Sequence, residues 1–246
     1  MQNWKSIITS IGFTLMFLFL MIGCSNSSGE ATSETRKHES TAAAEAPQQN
    51  TSAGPVFAVL GADISGSYQD LIRKALDILK DLVMRANPGD EYFIRTISDA
   101  SYPPQNAIVH TKFISVPPPP NRFDKQGQRR RAAAVAKLTA QKRGVVETLD
   151  AMRFQPAPRT DIYGFIQAAS DLFANAPDGV RKVLMFATDL KDTAGFKCNP
   201  DLSTVEVIIF EFLVDADPIQ SQKRRDAWVQ RLKDWGAVKV TVRPAN

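Results

Sequence analysis

From residue 56 onward, short continuous apolar runs alternate with longer segments of helical periodicity, and this alternation constrains the fold more than any other feature. Residues 56–62 form the first run and read as a buried strand. In 68–86 the apolar residues recur at helical spacing. Leu71, Ala75, Ile78 and Leu82 fall on one line, Ile72, Leu76, Leu79 and Val83 on the next, and Arg73, Lys74, Asp77, Asp81 and Arg85 lie opposite. Asn87-Pro88-Gly89-Asp90 stops that helix. Strands are expected at 92–97 and 108–116, the latter ended by the prolines at 117–120, which cannot donate to a ladder. An alanine-rich helix is expected at 131–152, with Val135, Leu138, Val145, Leu149 and Met152 as its apolar contacts, and a further helix at 161–174. Strands follow at 182–188 and 205–213, then a helix at 219–235 and a last strand at 238–242. Strands separated by helices require crossover connections. The fold class is therefore α/β, a mostly parallel sheet of about six strands with helices on both faces. The second and third strands have no clear helix between them, so one antiparallel strand is expected there.

The first 54 residues have a different character. Lys5 precedes an uncharged apolar stretch at 7–23, at the lower limit for a membrane span and sufficient for the core of a signal peptide. Leu20-Met21-Ile22-Gly23-Cys24 resembles a lipobox, with small Gly23 before the cysteine and Met21 where leucine is usual. The resemblance implies a signal peptide at 1–23 and a lipid carried by Cys24; an uncleaved anchor is the alternative. Ser25 follows, and the absence of aspartate there favours an outer membrane if the organism has one. Residues 24–54 are rich in Ser, Thr, Ala, Glu and Gln, too polar to offset the entropy of ordering, and read as a tether that includes His38. The folded domain is then 55–246. Of the two cysteines, Cys198 remains a single thiol, read as a small buried hydrophobe or as an oxidisable group, and no disulfide framework is available.

In sheets of this kind ligands bind beyond the carboxyl ends of the strands. Asp63, Ser65 and Ser67 follow the first strand, Thr160 precedes the helix at 161–174, and Asp189 follows the strand at 182–188. Asp63-Ile64-Ser65-Gly66-Ser67 matches the Asp-x-Ser-x-Ser motif, and with Thr160 and Asp189 in order the chain, over about 55–244, resembles a von Willebrand factor type A domain. That resemblance implies a Rossmann-like fold and a metal-ion-dependent adhesion site in which these five residues hold Mg²⁺ or Mn²⁺. It also implies an open coordination position for a carboxylate of a protein partner, with no catalytic residue. Hard cations favour such oxygen ligands. Leu190 departs from the family, which commonly has glycine after the aspartate. Taken singly, Asp63, Ser65 and Ser67 could equally cap the following helix, and Thr160 or Asp161 the next. Two other readings remain open. One is a metal-dependent phosphatase of the haloacid dehalogenase type, which needs a second acid where Ser65 stands. The other is a structural lipoprotein of the same fold without metal.

The net charge of +4 is modest, but its distribution is uneven. Arg122, Lys125, Arg129, Arg130, Arg131, Lys137, Lys142 and Arg143 face a single acid, Asp124. This segment is either a solvated face or a docking patch for anionic lipid heads or an acidic protein. Nucleic acid is not expected as a partner outside the cytoplasm. Trp228 and Trp235, seven apart, share a helix face and read as core or as an exposed partner anchor. His110, within a strand and without a second histidine nearby, reads as structural.

Overall fold

The computed structural model describes residues 54–65, 69–212 and 217–244, with the side chains of Gln69 and Asp70 outside that description. Cys24, His38, Ser67 and the proposed signal and tether lie outside the described residues. The described elements run β1 (Val56–Asp63), α1 (Gln69–Arg85), β2 (Glu91–Ile97), β3 (Ala107–Lys112), α2 (Lys125–Ala151), α3 (Ile162–Ala174), β4 (Arg181–Thr188), β5 (Val205–Glu211), α4 (Pro218–Asp234) and β6 (Lys239–Pro244). Among the described residues the strands form one six-stranded sheet in the order β3-β2-β1-β4-β5-β6. All pairs are parallel except β2 with β3. The antiparallel pair falls where the sequence leads to expect it, whereas β4 and β5, which also have no helix between them, pair in parallel.

The period of two along β1 divides the core. Ala58, Leu60 and Ala62 face α1 and α2 with Ile72, Ala75, Leu79, Val83, Leu138, Val145 and Leu149. Phe57 and Val59 face α3 and α4 with Phe165, Ile166, Phe173, Trp228 and Leu232. A layer of helices on each face keeps both sides of a parallel sheet dry. Gly61 sets how closely α3 approaches. A Cβ at Gly61 would lie 2.5 Å from the Phe165 ring, so only glycine lets that ring rest on β1.

Among the boundaries that differ from expectation, three have clear local reasons. β3 ends at Lys112 rather than 116, because its partner β2 begins at Glu91. Beyond that point Phe113 pairs with the preceding turn, donating to Asp90 O at 2.8 Å and accepting from Gly89 N at 3.1 Å. α2 begins at Lys125, six residues before the expected start, because the Asp124 carboxylate caps it by accepting from Gly127 N. Val135, expected in the core, is 44% exposed, and the buried side chains of α2 are Leu138, Val145 and Leu149. α3 likewise starts after Asp161, whose carboxylate accepts from Gly164 N at 2.7 Å. Leu213, expected within a strand, falls outside the described residues.

Candidate metal centre

Asp63 closes β1, and β4 is its neighbour in the sheet. Ala62 is in register with Ala187, so Asp63 lies beside Thr188, and Asp189 is one residue beyond. Thr188 Oγ1 donates to Asp63 Oδ2 at 2.8 Å, and Ser65 N donates to Asp63 Oδ1 at 2.9 Å. Both aspartates are buried, at 2% and 3% exposure. Burial raises the pKa of Asp63, and the hydrogen bonds from Ser65 and Thr188 oppose the rise. Asp189 is pushed up to about 6, first by burial and further by the charge of Asp63, against the opposing Lys191 N–H and the charges of Lys191 and Arg224. The two carboxylates therefore sense each other in a desolvated place. Lys191 Nζ stands 3.7 Å from Asp189 Oδ2 and partly offsets that charge.

Ser65 is the least satisfied member. Its side chain is buried, and its hydroxyl makes no hydrogen bond among the described residues. It lies near enough to Asp63 to favour the charged carboxylate without reaching hydrogen-bonding geometry. An orphaned buried hydroxyl costs about 1–3 kcal/mol.

The third loop is tied in by backbone. Ser65 bridges Ala157, and Ala157 N donates to Ile64 O at 3.0 Å. The Thr160 carbonyl accepts from Thr193 N and Ala194 N at 2.9 and 3.1 Å, and Thr160 N donates to Thr193 Oγ1 at 2.9 Å. Thr160 is buried. The loops carrying Asp63 and Ser65, Thr160, and Asp189 thus converge on the carboxyl edge of the sheet. The donors are all oxygens, with two carboxylates balanced by hydroxyls. Among the described residues no group of three or more His, Cys, Asp or Glu side chains could hold a metal ion, so a site here would rest on two carboxylates with hydroxyls. Such a set fits a hard, octahedral dication.

Several further residues support the site. Thr188 reads simply as a strand residue. Asp161 accepts from Ser101 N at 2.8 Å while capping α3, and Asp161 N donates to Ser98 O at 2.7 Å, fastening the loop after β2 to the site. Asp192 accepts from Ile162 N at 2.8 Å. From α4, Arg224 donates to the Asp189 carbonyl at 3.2 Å and Trp228 Nε1 donates to the Leu190 carbonyl at 2.9 Å. Leu190 has φ 63°, the left-handed region where glycine is at ease. Its buried side chain belongs to the α3/α4 core, which holds the strained turn in place.

The other singled-out residues fall as follows. Trp228 is core, and Trp235 packs beside it against Tyr163, with ring centroids 5.0 and 5.9 Å from that ring. His110 stacks on Phe93 and is 2.8 Å from Glu91 Oε1. Cys198 is half-buried and free, and burial pushes its thiol up to about 11, so it stays protonated at neutral pH. Within the basic segment, Lys142 Nζ donates to the Met84 carbonyl at 3.0 Å and Arg131 donates to the Pro117 carbonyl, so both act within the fold. Arg122, Lys125, Arg129, Arg130, Lys137 and Arg143 are exposed.

No family model and no curated protein sequence matches the chain. Solved structures do. A von Willebrand factor type A structure from Catenulispora acidiphila is 16% identical with a TM-score of 0.46, over 78% of this chain and 39% of that one. The chain is similar to von Willebrand factor type A structures. An aerotolerance-related membrane protein from Bacteroides fragilis also matches, at 14% identity and TM-score 0.43, over 78% of this chain and 93% of its own. The pilus adhesin SpaC from Lactobacillus rhamnosus GG is 15% identical with a TM-score of 0.45, over 80% of this chain and 29% of the adhesin. This chain thus spans about two fifths of the von Willebrand factor type A structure.

Proposed function

We propose that this chain is a von Willebrand factor type A-like binding module, not an enzyme. In this reading it captures a protein partner through Mg²⁺ or Mn²⁺ held by Asp63, Ser65, Ser67, Thr160 and Asp189. Lipid on Cys24 anchors it outside the cytoplasmic membrane, and the outer membrane is its place where the organism has one. The observation that carries the metal reading is the Ser65 hydroxyl, buried beside the desolvated Asp63 carboxylate without a hydrogen-bond partner among the described residues, with the desolvated Asp189 carboxylate at the same sheet edge. Two acids and an orphaned hydroxyl at one sheet edge are poorly satisfied alone and well satisfied around a hard cation. When bound, the ion would supply a positive centre for a partner's Asp or Glu. Asp63 and Asp189 would offset its charge, the Thr188 hydroxyl would orient Asp63, and Arg224 and Trp228 would hold the Asp189 loop. No helix among the described residues is long and apolar enough to cross a membrane.

The test is calorimetric titration of the folded chain with Mg²⁺ and Mn²⁺, paired with affinity capture with and without chelator. A cation that binds only the folded state stabilises it by about 2.7 kcal/mol at a hundredfold excess over its dissociation constant. Asp63→Ala and Asp189→Ala should abolish that gain and release the captured partner. Absence of heat and of stabilisation in the wild-type chain, with its partner present, would overturn the metal reading.

A further inference from the structure

The first turns of α2 stand apart from the core. The buried side chains of this helix are Leu138, Val145 and Leu149, so Lys125 to Lys137 contributes none. Just before the helix, Phe123 is 75% exposed, with the Arg122 guanidinium 4.5 Å above its ring. Exposed Lys125, Arg129, Arg130, Lys137 and Arg143 follow. Between residues 122 and 143 the one acid is Asp124, which is engaged in capping the helix, and Glu147 follows one turn after Arg143. At 100° per residue, Lys125, Arg129, Lys137 and Arg143 lie on the side of the helix away from Leu138 and Val145. Between them are exposed Ala132, Ala133, Ala136 and Ala140.

We propose that this basic arm docks on an anionic lipid surface, with Phe123 entering the headgroup layer. The inference is independent of the metal site. Charge complementarity is the first argument: from Lys125 to Arg143 the cations form a strip without interspersed acids, and the amino end of the helix adds its partial positive charge. The shape of the strip decides between a membrane and an acidic protein. A protein interface concentrates its energy in clustered large anchors set into pockets. Here the residues between the cations are alanines, which present a smooth face to a plane of phosphates, and the large apolar group is one ring at the tip. Long Lys and Arg side chains reach such a plane while their stems lie along the alanines.

The experiment is flotation of the full chain with vesicles of phosphatidylcholine alone and with added phosphatidylglycerol. The apolar segment at 7–23 contributes to both vesicle types, so the readout is the excess bound to the anionic ones. Wild type should show an excess at low salt that disappears at high salt. Lys125→Glu with Arg129→Glu and Arg130→Glu should lower anionic-vesicle affinity on the order of 100-fold and leave the phosphatidylcholine baseline unchanged. These side chains are exposed, and acids in the first turns suit the helix dipole, so the variant should keep its fold; the matching glutamine variant checks this by the same readout. Phe123→Ala should reduce the excess without changing its salt dependence. The proposal is overturned by no excess in wild type, by an excess retained in the charge variant, or by retention on immobilised polyglutamate without any preference for anionic vesicles.

Discussion

Ser65 is where the chemistry of the site is most sharply posed, because its side chain is costly to bury as it stands. Ser65→Ala should leave the metal-free domain as stable as wild type, or more stable by about 1–2 kcal/mol, since a desolvated donor is removed. The same substitution should weaken Mg²⁺ binding, and chemical denaturation with and without the ion reads both effects. A hydroxyl that served only as a helix cap would cost stability on removal in either condition. Asp189 supplies a second test. Its folded pKa, about 6, lies above the value of an unfolded aspartate, so the folded chain binds the extra proton. The sign follows from linkage: the metal-free fold has this contribution in full below about pH 4 and loses it as pH rises through about 6, by up to about 1.4 kcal/mol per pH unit. Asp189→Asn should flatten that slope in urea titrations at successive pH values. Added Mg²⁺ should reverse it, since protons and cation compete for the same oxygens.

At the scale of elements, the site depends on how closely helices sit against strand ends. The contact of Phe165 with Gly61 brings α3 onto β1, and the cap of α3, Asp161, fastens the loops around Thr160. Gly61→Ala should displace the ring and destabilise the domain by about 1–3 kcal/mol, the usual cost of overpacking. Thermal unfolding reads that loss, and a stability equal to wild type would show that α3 can move away without consequence. The turn at Leu190 is a second case. Its left-handed backbone lies where a glycine would relax, yet the leucine side chain fills the core and the turn's carbonyl is held by Trp228. The departure from glycine in the sequence is therefore compensated by packing from α4, an element distant in sequence.

For the whole molecule, the decisive expectation concerns anchorage. Cys24→Ser should yield an unprocessed or released chain, and radiolabelled fatty acid should enter wild type but not the variant; lack of label in wild type would refute lipidation. How much of the molecule was readable beforehand follows from range. The order of strands and helices, the antiparallel β2–β3 pair and the positions of Asp63, Thr160 and Asp189 at strand or helix ends were legible, because apolar periodicity and turn residues act over a few positions. The early start of α2 was legible only in part: Asp124 is a good cap, but the polar turns after it carry no apolar stripe. What the tertiary structure alone decided is long-range. The Thr188 hydroxyl on Asp63, the α4 side chains on the Asp189 loop, the orphaned state of Ser65 and the diversion of Arg131 and Lys142 to backbone carbonyls all join segments brought together by the sheet. A side chain's partner is set by three-dimensional packing, and neither residue type nor local spacing encodes it.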